Sequence, residues 1–134
     1  MAAPALLARL ARERYLLVTT FRRTGHPVPT PVWFVLDGQT VLVWTGATTG
    51  KVRRVRANPT VQVAACTARG LATSDPLTAH AAILAAPPPN AKRLFVAKYG
   101  MQYRALRAVS RVRAWLTRRP PAPVAYLAIT LETA

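Results

Sequence analysis

The sequence predicts a single α+β domain, mainly β, in which six antiparallel strands close into a small barrel. Six segments rich in apolar and β-branched residues are separated by turn signals, and few helical patterns interrupt them. The chain has 134 residues, of which 51% are hydrophobic. That is enough apolar material for one core and too little chain for two. Closing the sheet would leave no strand edge exposed.

The first part of the chain predicts a helix followed by a three-stranded meander. Residues 4–14 place apolar side chains near one helical face, and residues 15–22 read as a strand. Residues 28–36 predict the second strand, whose prolines at 27, 29 and 31 indicate an edge or an irregular start. Asp37-Gly38 predicts a two-residue hairpin turn into a third strand at residues 40–45.

The rest of the chain predicts three helices and three strands. Residues 51–57 form a short helix that Thr48 or Thr49 can cap, and residues 60–67 a fourth strand. Residues 77–86 fit either a helix or a fifth strand, although the prolines that follow favour a strand. Two helices are predicted next, one at residues 91–99, which Asn90 can cap, and one at residues 101–117. Together they make residues 90–117 a helical insertion. A last strand is predicted at residues 124–131. In the second of these helices, large apolar or aromatic residues recur at intervals of three or four positions: Tyr103, Leu106, Val109, Val112 and Leu116.

The charge of the chain points to an anionic partner. Nineteen Lys and Arg residues against four Asp and Glu give a net charge of +15. Nucleic acid, an anionic membrane surface and a phosphorylated or polycarboxylate cofactor all fit such a field, as does a merely solvated basic surface. The single cysteine excludes an internal disulfide, and no apolar run is long enough to span a membrane. We therefore expect a soluble, cytoplasmic protein.

The segment with the clearest functional pattern is residues 45–59, TGATTGKVRRVRANP. A loop of glycine and threonine opens a helix whose first turn carries Lys51, and Arg53, Arg54 and Arg56 follow. Free N–H groups at a helix start and a nearby ammonium together bind phosphate. A short solvated helix is the alternative, but four cations within six residues repel one another without an anion. The spacing departs from the P-loop pattern, which disfavours nucleotide hydrolysis.

No set of side chains predicts catalysis by the protein alone. His26 and His80 are isolated, Cys66 lies in an apolar segment, and metal ligands are lacking. Trp33 and Trp44 flank the predicted hairpin and fit either packing or stacking on a ligand. If the protein is an enzyme, the reactive chemistry belongs to a bound cofactor.

Three stretches resemble the pyridoxamine 5′-phosphate oxidase-like split-barrel superfamily: LLVTTFRRTGHPVPTPVWFVLDG, VLVWTGATTGKVRRVRANPTVQVA and KRLFVAKYG. Within it they are most similar to the actinobacterial F420-dependent class of small flavin/deazaflavin oxidoreductases. The resemblance implies an FMN-binding-like split barrel and a homodimer with cofactor sites at the interface. It also implies coenzyme F420, with FMN as the alternative, and hydride transfer between the reduced coenzyme and a small unsaturated substrate.

The resemblance also assigns residues. Lys51 would hold the cofactor phosphate, with Arg54 and Arg56 nearby, while one strand lies along the ring system and a loop approaches the cofactor. The strand residues are Thr30, Val32 and Trp33, and the loop residues are Thr45, Gly46, Thr48 and Thr49. The longer basic motif of FMN oxidases is missing from VLVWTG, which disfavours FMN.

The deazaflavin has a polyglutamate tail, which basic residues between 92 and 119 could hold. The candidates are Lys92, Arg93, Lys98, Arg104, Arg107, Arg111, Arg113, Arg118 and Arg119. Nothing selects a proton donor among Tyr99, Tyr103 and Tyr126, so the catalytic residues are unassigned.

Three other functions stay open. They are an FMN-dependent oxidoreductase of the same fold, a non-catalytic F420-binding protein, and nucleic-acid binding by residues 101–119. No recognised nucleic-acid motif supports the last, and neither nucleic acid nor a membrane is the expected partner.

Overall fold

The computed structural model describes residues 2–120 and 123–132. The strands form a closed barrel in the order β1–β2–β3–β6–β5–β4, and every neighbouring pair is antiparallel. The predicted α+β fold with a six-stranded antiparallel barrel is thus confirmed. The strands are β1 (Leu16–Phe21), β2 (Pro27–Asp37), β3 (Thr40–Gly46), β4 (Thr60–Ala65), β5 (Leu77–Leu84) and β6 (Val124–Leu131). The helices are α1 (Ala3–Leu10), α2 (Gly50–Ala57), α3 (Ala91–Tyr99) and α4 (Met101–Thr117).

Strand β2 pairs in two halves, which explains its prolines. Residues 27–32 pair with β1, and residues 33–37 pair with β3. Pro27, Pro29 and Pro31 occupy every second position of the first half. Their nitrogens, which lack a hydrogen, therefore all point away from β1. The first half is therefore an edge that cannot accept a further strand through these positions.

Several predicted boundaries are corrected by hydrogen bonds that the local pattern does not reveal. The loop of the β2–β3 hairpin is Gly38-Gln39, not Asp37-Gly38, because Asp37 pairs with Thr40; Gly38 has φ +62°. Helix α1 ends at Leu10 rather than at residue 14, since the chain tightens there into i→i+3 turns. Strand β4 ends at Ala65 rather than at residue 67.

The ambiguous segment at residues 77–86 is a strand over Leu77–Leu84. It pairs with β4 on one side and with β6 on the other, and these pairings override the helical preference of its alanines. Neither predicted cap forms a side-chain bond: the side chains of Thr49 and Asn90 do not cap α2 and α3.

The main core fills the barrel. Inward-facing residues of all six strands are buried there, including Phe34 and Leu127 at 0% exposure, and α1 and α2 add Leu6, Leu10 and Val55. A second core lies outside the barrel, between β2, β3 and the helices α3 and α4. Its buried members are Val35, Leu42, Ala91, Phe95, Tyr99 and Tyr103.

Helix α4 touches the rest of the protein along a narrow strip only. Tyr103 is its buried residue, whereas Val109, Val112 and Leu116 face solvent. None of the helices in the described ranges is both long and apolar enough to cross a bilayer.

Candidate functional site

A cavity of about 470 Å³ lies between α4 and the strands β2, β3 and β6, at the point where α2 begins. Strand pairing places Trp33 opposite Trp44, and Gly46 opposite Val124, so that adjacent strands contribute its walls. The lining residues are Pro31, Val32, Trp33, Trp44, Thr45, Gly46, Lys51, Leu106, Arg107, Ser110, Arg111, Pro123 and Val124.

The Lys51 ammonium is the central charge of this cavity. Lys51 is only 9% exposed, and its Nζ donates a hydrogen bond to Thr45 Oγ1 over 3.0 Å. Burial lowers its pKa, and the nearby Arg54 cation lowers that pKa further. Within residues 2–120 and 123–132 the ion pair that forms is Arg9 with Glu13, so Lys51 has no carboxylate partner. A buried cation without a counter-ion is costly, and an anion in the cavity would relieve that cost.

The loop before α2 leaves the helix start open to a ligand. Thr49 occupies the N-cap position, but its hydroxyl donates to the Gly46 carbonyl over 3.0 Å instead of capping the helix. The Ala47 N–H donates to the carbonyl of Pro123 at 2.9 Å, which ties the loop to the cavity wall. The first N–H groups of α2 therefore stay without a side-chain acceptor, next to Lys51.

Arg54 reinforces the positive charge at this helix start. Its Nε donates to Thr20 Oγ1 over 2.7 Å, and Thr20 is fully buried. Its guanidinium also folds back over Gly50, where a Cβ would lie 2.7 Å from Nη1. A side chain at position 50 would displace the guanidinium, so glycine there allows Arg54 to lie over the first turn.

Two tryptophans form the apolar wall. The rings of Trp33 and Trp44 are 5.9 Å apart, and Trp33 stacks on Tyr99 at 4.2 Å with an interplanar angle of 5°. Trp44 Nε1 is buried and has no hydrogen-bond partner among the described residues. The wall thus combines rigid aromatic surface with one unused donor.

The predicted site residues divide into two groups. Val32, Trp33, Thr45, Gly46 and Lys51 line the cavity together. The second group does not line it. Thr30 sits further back on β2, Thr48 and Thr49 are in the loop, Arg54 bonds Thr20, and Arg56 is exposed on α2.

Four other residues line the cavity although the sequence pattern does not predict them there: Leu106, Ser110, Pro123 and Val124. Leu106 and Ser110 come from α4, Pro123 precedes β6 and Val124 begins it, all more than fifty positions after Lys51. No local motif links such distant segments. The barrel order, which sets β6 beside β3, could have indicated Val124, but not the α4 residues.

A basic groove continues from the cavity along α3 and α4. It measures about 280 Å³ and shares Arg107 and Arg111 with the cavity. Lys92 and Arg104 supply two further cations. Four of the candidate tail-binding residues are thus brought together. Lys98 is not among them, since its ammonium donates to the Phe34 carbonyl over 2.9 Å.

None of the three candidate tyrosines lines the cavity. Tyr99 donates to the Arg14 carbonyl over 2.6 Å, and burial raises its pKa to about 12. Burial also raises the pKa of Tyr126, while Tyr103 lines the basic groove. The described residues contain no group of His, Cys, Asp and Glu that could hold a metal. The side chains that line the cavity therefore suit binding and orientation better than acid–base catalysis.

Solved structures share this fold at low sequence identity. A pyridoxamine 5′-phosphate oxidase-like protein from Listeria innocua is 17% identical, with a TM-score of 0.60 over 98% of this chain and 94% of its own. A protein described as an F420 reductase is also 17% identical, with a TM-score of 0.59 over 94% and 92%. An FMN-binding protein from Nostoc punctiforme, related to pyridoxamine 5′-phosphate oxidase, is 15% identical, with a TM-score of 0.56 over 96% and 76%.

No curated protein matches the chain. The sequence profile described as pyridoxamine 5′-phosphate oxidase, however, matches residues 2–134. Since that match covers nearly the whole chain, the protein belongs to the pyridoxamine 5′-phosphate oxidase family.

Proposed function

We propose that the protein is an oxidoreductase that uses coenzyme F420 and reacts with a small unsaturated substrate. The observation that carries this proposal is the buried Lys51 ammonium, which has no carboxylate partner in the described residues and lies beside an uncapped helix start. Such a site suits a phosphate of the cofactor. When bound, the deazaflavin supplies the hydride chemistry that the side chains lack.

The basic groove favours the deazaflavin over FMN. Coenzyme F420 carries a phosphodiester and a tail of linked glutamates, whereas FMN ends at its phosphate. A tail leaving the cavity past Arg107 and Arg111 would reach Lys92 and Arg104. FMN would leave these last two cations without an anion.

The apolar wall would orient the ring system. Trp33 and Trp44 are held by their cross-strand pairing and by the aromatic residues of the second core. Val32 and Val124 add apolar surface to the same cavity. We infer that these side chains exclude water and fix the ring, so that the substrate meets it in one orientation. The Trp44 N–H is a donor that the ring system could use.

We further propose a homodimer with a cofactor site in each subunit at the interface. The outer face of β1 and the first half of β2 presents Leu17, Thr19, Pro27 and Pro29 around an apolar depression. Pro31 connects this face to the cavity. A second subunit on this face would cover apolar surface and close one side of each cavity.

A non-catalytic F420-binding protein is the second candidate. The observation that favours it is that the titratable residues of the cavity are Lys51, Arg107 and Arg111, without an acid or a tyrosine. A binding protein would hold the coenzyme with no turnover of any acceptor. Oxidation of reduced coenzyme by a panel of activated alkenes and nitro compounds therefore separates the two candidates.

The groove provides the test of the cofactor assignment. Arg104→Gln is expected to weaken coenzyme F420 binding by about tenfold, roughly the value of one charge-assisted contact, and to leave FMN binding unchanged. The matched control is Arg69→Gln, which removes an exposed cation outside both cavity and groove. Fluorescence titration at physiological salt measures both cofactors. Equal effects of Arg104→Gln on both cofactors, or on neither, would contradict the assignment of the groove to the tail.

A further inference from the structure

The outward face of α4 is an apolar stripe that nothing in the described protein covers. We define it as Met101, Val109, Val112, Trp115 and Leu116, which are 81%, 64%, 55%, 77% and 67% exposed. At 3.6 residues per turn they fall within an arc of about 120°, opposite the buried Tyr103. Large apolar side chains gathered on one exposed helix face mark a binding surface.

Arginines flank this stripe, and no acid accompanies them. Arg104 and Arg111 lie along one border, Arg113 lies along the other, and Arg118 follows at the helix end. The chain contains no Asp or Glu between Asp75 and Glu132. The helix therefore combines an apolar face that carries a tryptophan with cationic borders, the pattern of helices that lie in a membrane interface.

The charge decides between possible occupants. A symmetric contact between the α4 helices of two copies would set arginine rows against each other without acids to pair with them. Nucleic acid could pair its phosphates with the arginines, but those phosphates would not bury the apolar side chains of Trp115, Leu116 and Met101. An anionic lipid surface satisfies both, because its headgroups pair with arginine and its acyl boundary accepts the apolar side chains.

We propose that α4 binds the surface of anionic bilayers, with the stripe turned toward the acyl chains. This departs from the expectation that no membrane is a partner. The sequence shows which residues share a helix face but not which way that face points. The five stripe residues do not line the cavity or the basic groove, although the bordering Arg104 and Arg111 do. The test therefore changes stripe residues and leaves these arginines in place.

Vesicle sedimentation of the full chain tests the proposal. We expect binding to vesicles with about one-third phosphatidylglycerol and little binding to pure phosphatidylcholine, at physiological salt. Leu116→Ser is expected to weaken binding by about tenfold, and Trp115→Ser by at least as much. The control is Leu71→Ser, because Leu71 is 66% exposed, as Leu116 is, but lies outside α4. Circular dichroism and the molar mass of each variant verify that fold and assembly are unchanged.

Three results would overturn the proposal. The first is the absence of binding to anionic vesicles. The second is equal loss in Leu116→Ser and Leu71→Ser, which would show that binding ignores the stripe. The third is a fall in molar mass on Leu116→Ser alone, which would assign the stripe to a second copy. Binding to soluble polyglutamate or DNA in the absence of vesicle binding belongs to the first case and would indicate a different anionic partner.

Discussion

The buried Lys51 ammonium makes opposite predictions for stability and for cofactor binding. Lys51→Met keeps the length of the side chain and removes its charge. Without a ligand, the ammonium is buried beside the Arg54 cation, and both burial and that cation lower its pKa. Its charge therefore disfavours folding, and Lys51→Met is expected to stabilise the free protein.

The size of each effect follows from the contacts. Removal of a hydrogen bond to a charged group costs about 1.5–3 kcal/mol, so we expect roughly 10- to 150-fold weaker coenzyme binding. Relief of the buried charge by about 1 kcal/mol would raise the Tm of a domain of this size by roughly 3–5 °C. Because the folded protein holds this proton less tightly than the unfolded chain, the stabilisation should shrink as pH rises toward 10.5.

Fluorescence titration and thermal unfolding measure the two effects on the same samples. Arg53→Met is the control, since Arg53 is exposed on the same helix and lines neither cavity nor groove. It should change affinity by about twofold or less, because salt screens an exposed charge. Coenzyme affinity that is unchanged in Lys51→Met, or reduced equally by Arg53→Met, would refute the proposed role of Lys51 as the phosphate ligand.

Two further predictions concern assembly and pH. Leu17→Glu places a charge on the proposed dimer face and is expected to yield a monomer in sedimentation velocity. The control is Thr130→Glu, which changes an exposed residue of β6 and should leave the dimer intact. A dimeric Leu17→Glu variant would place the interface elsewhere. Burial, together with the Arg14 cation, lowers the pKa of Lys98 to about 8. The unfolded chain therefore binds more protons between pH 8 and 10.5, and the free energy of unfolding should rise over that range. Urea melts should show a smaller rise in Lys98→Met, and an identical rise would contradict the burial of that ammonium.

Turn chemistry and alternation allowed most of the barrel to be predicted. Prolines, glycines and β-branched residues act within a few positions, so five of the strands, the helix at 91–99 and the helix at 101–117 were recognisable locally. The segment at 77–86 could not be decided from its own composition, because its strand identity depends on pairing with β4 and β6. The one-residue error at the hairpin has the same origin in the Asp37–Thr40 pair.

The candidate site was predictable only where it is local. The loop and first turn of α2 gave Thr45, Gly46 and Lys51, which are close in sequence and meet in the cavity. The bond from Arg54 to Thr20 joins residues 34 positions apart, and no spacing rule predicts it. The periodicity of α4 predicted the helix correctly. Which of its faces contacts the barrel does not follow from that periodicity, and Val112 points to solvent.

A parallel titration of the purified protein with coenzyme F420 and with FMN at physiological salt tests the proposed cofactor most directly. We expect tight binding of the deazaflavin and much weaker binding of FMN, because only the deazaflavin has a tail that could extend from the cavity at Lys51 into the basic groove. Tighter binding of FMN, or binding of neither cofactor, would contradict it.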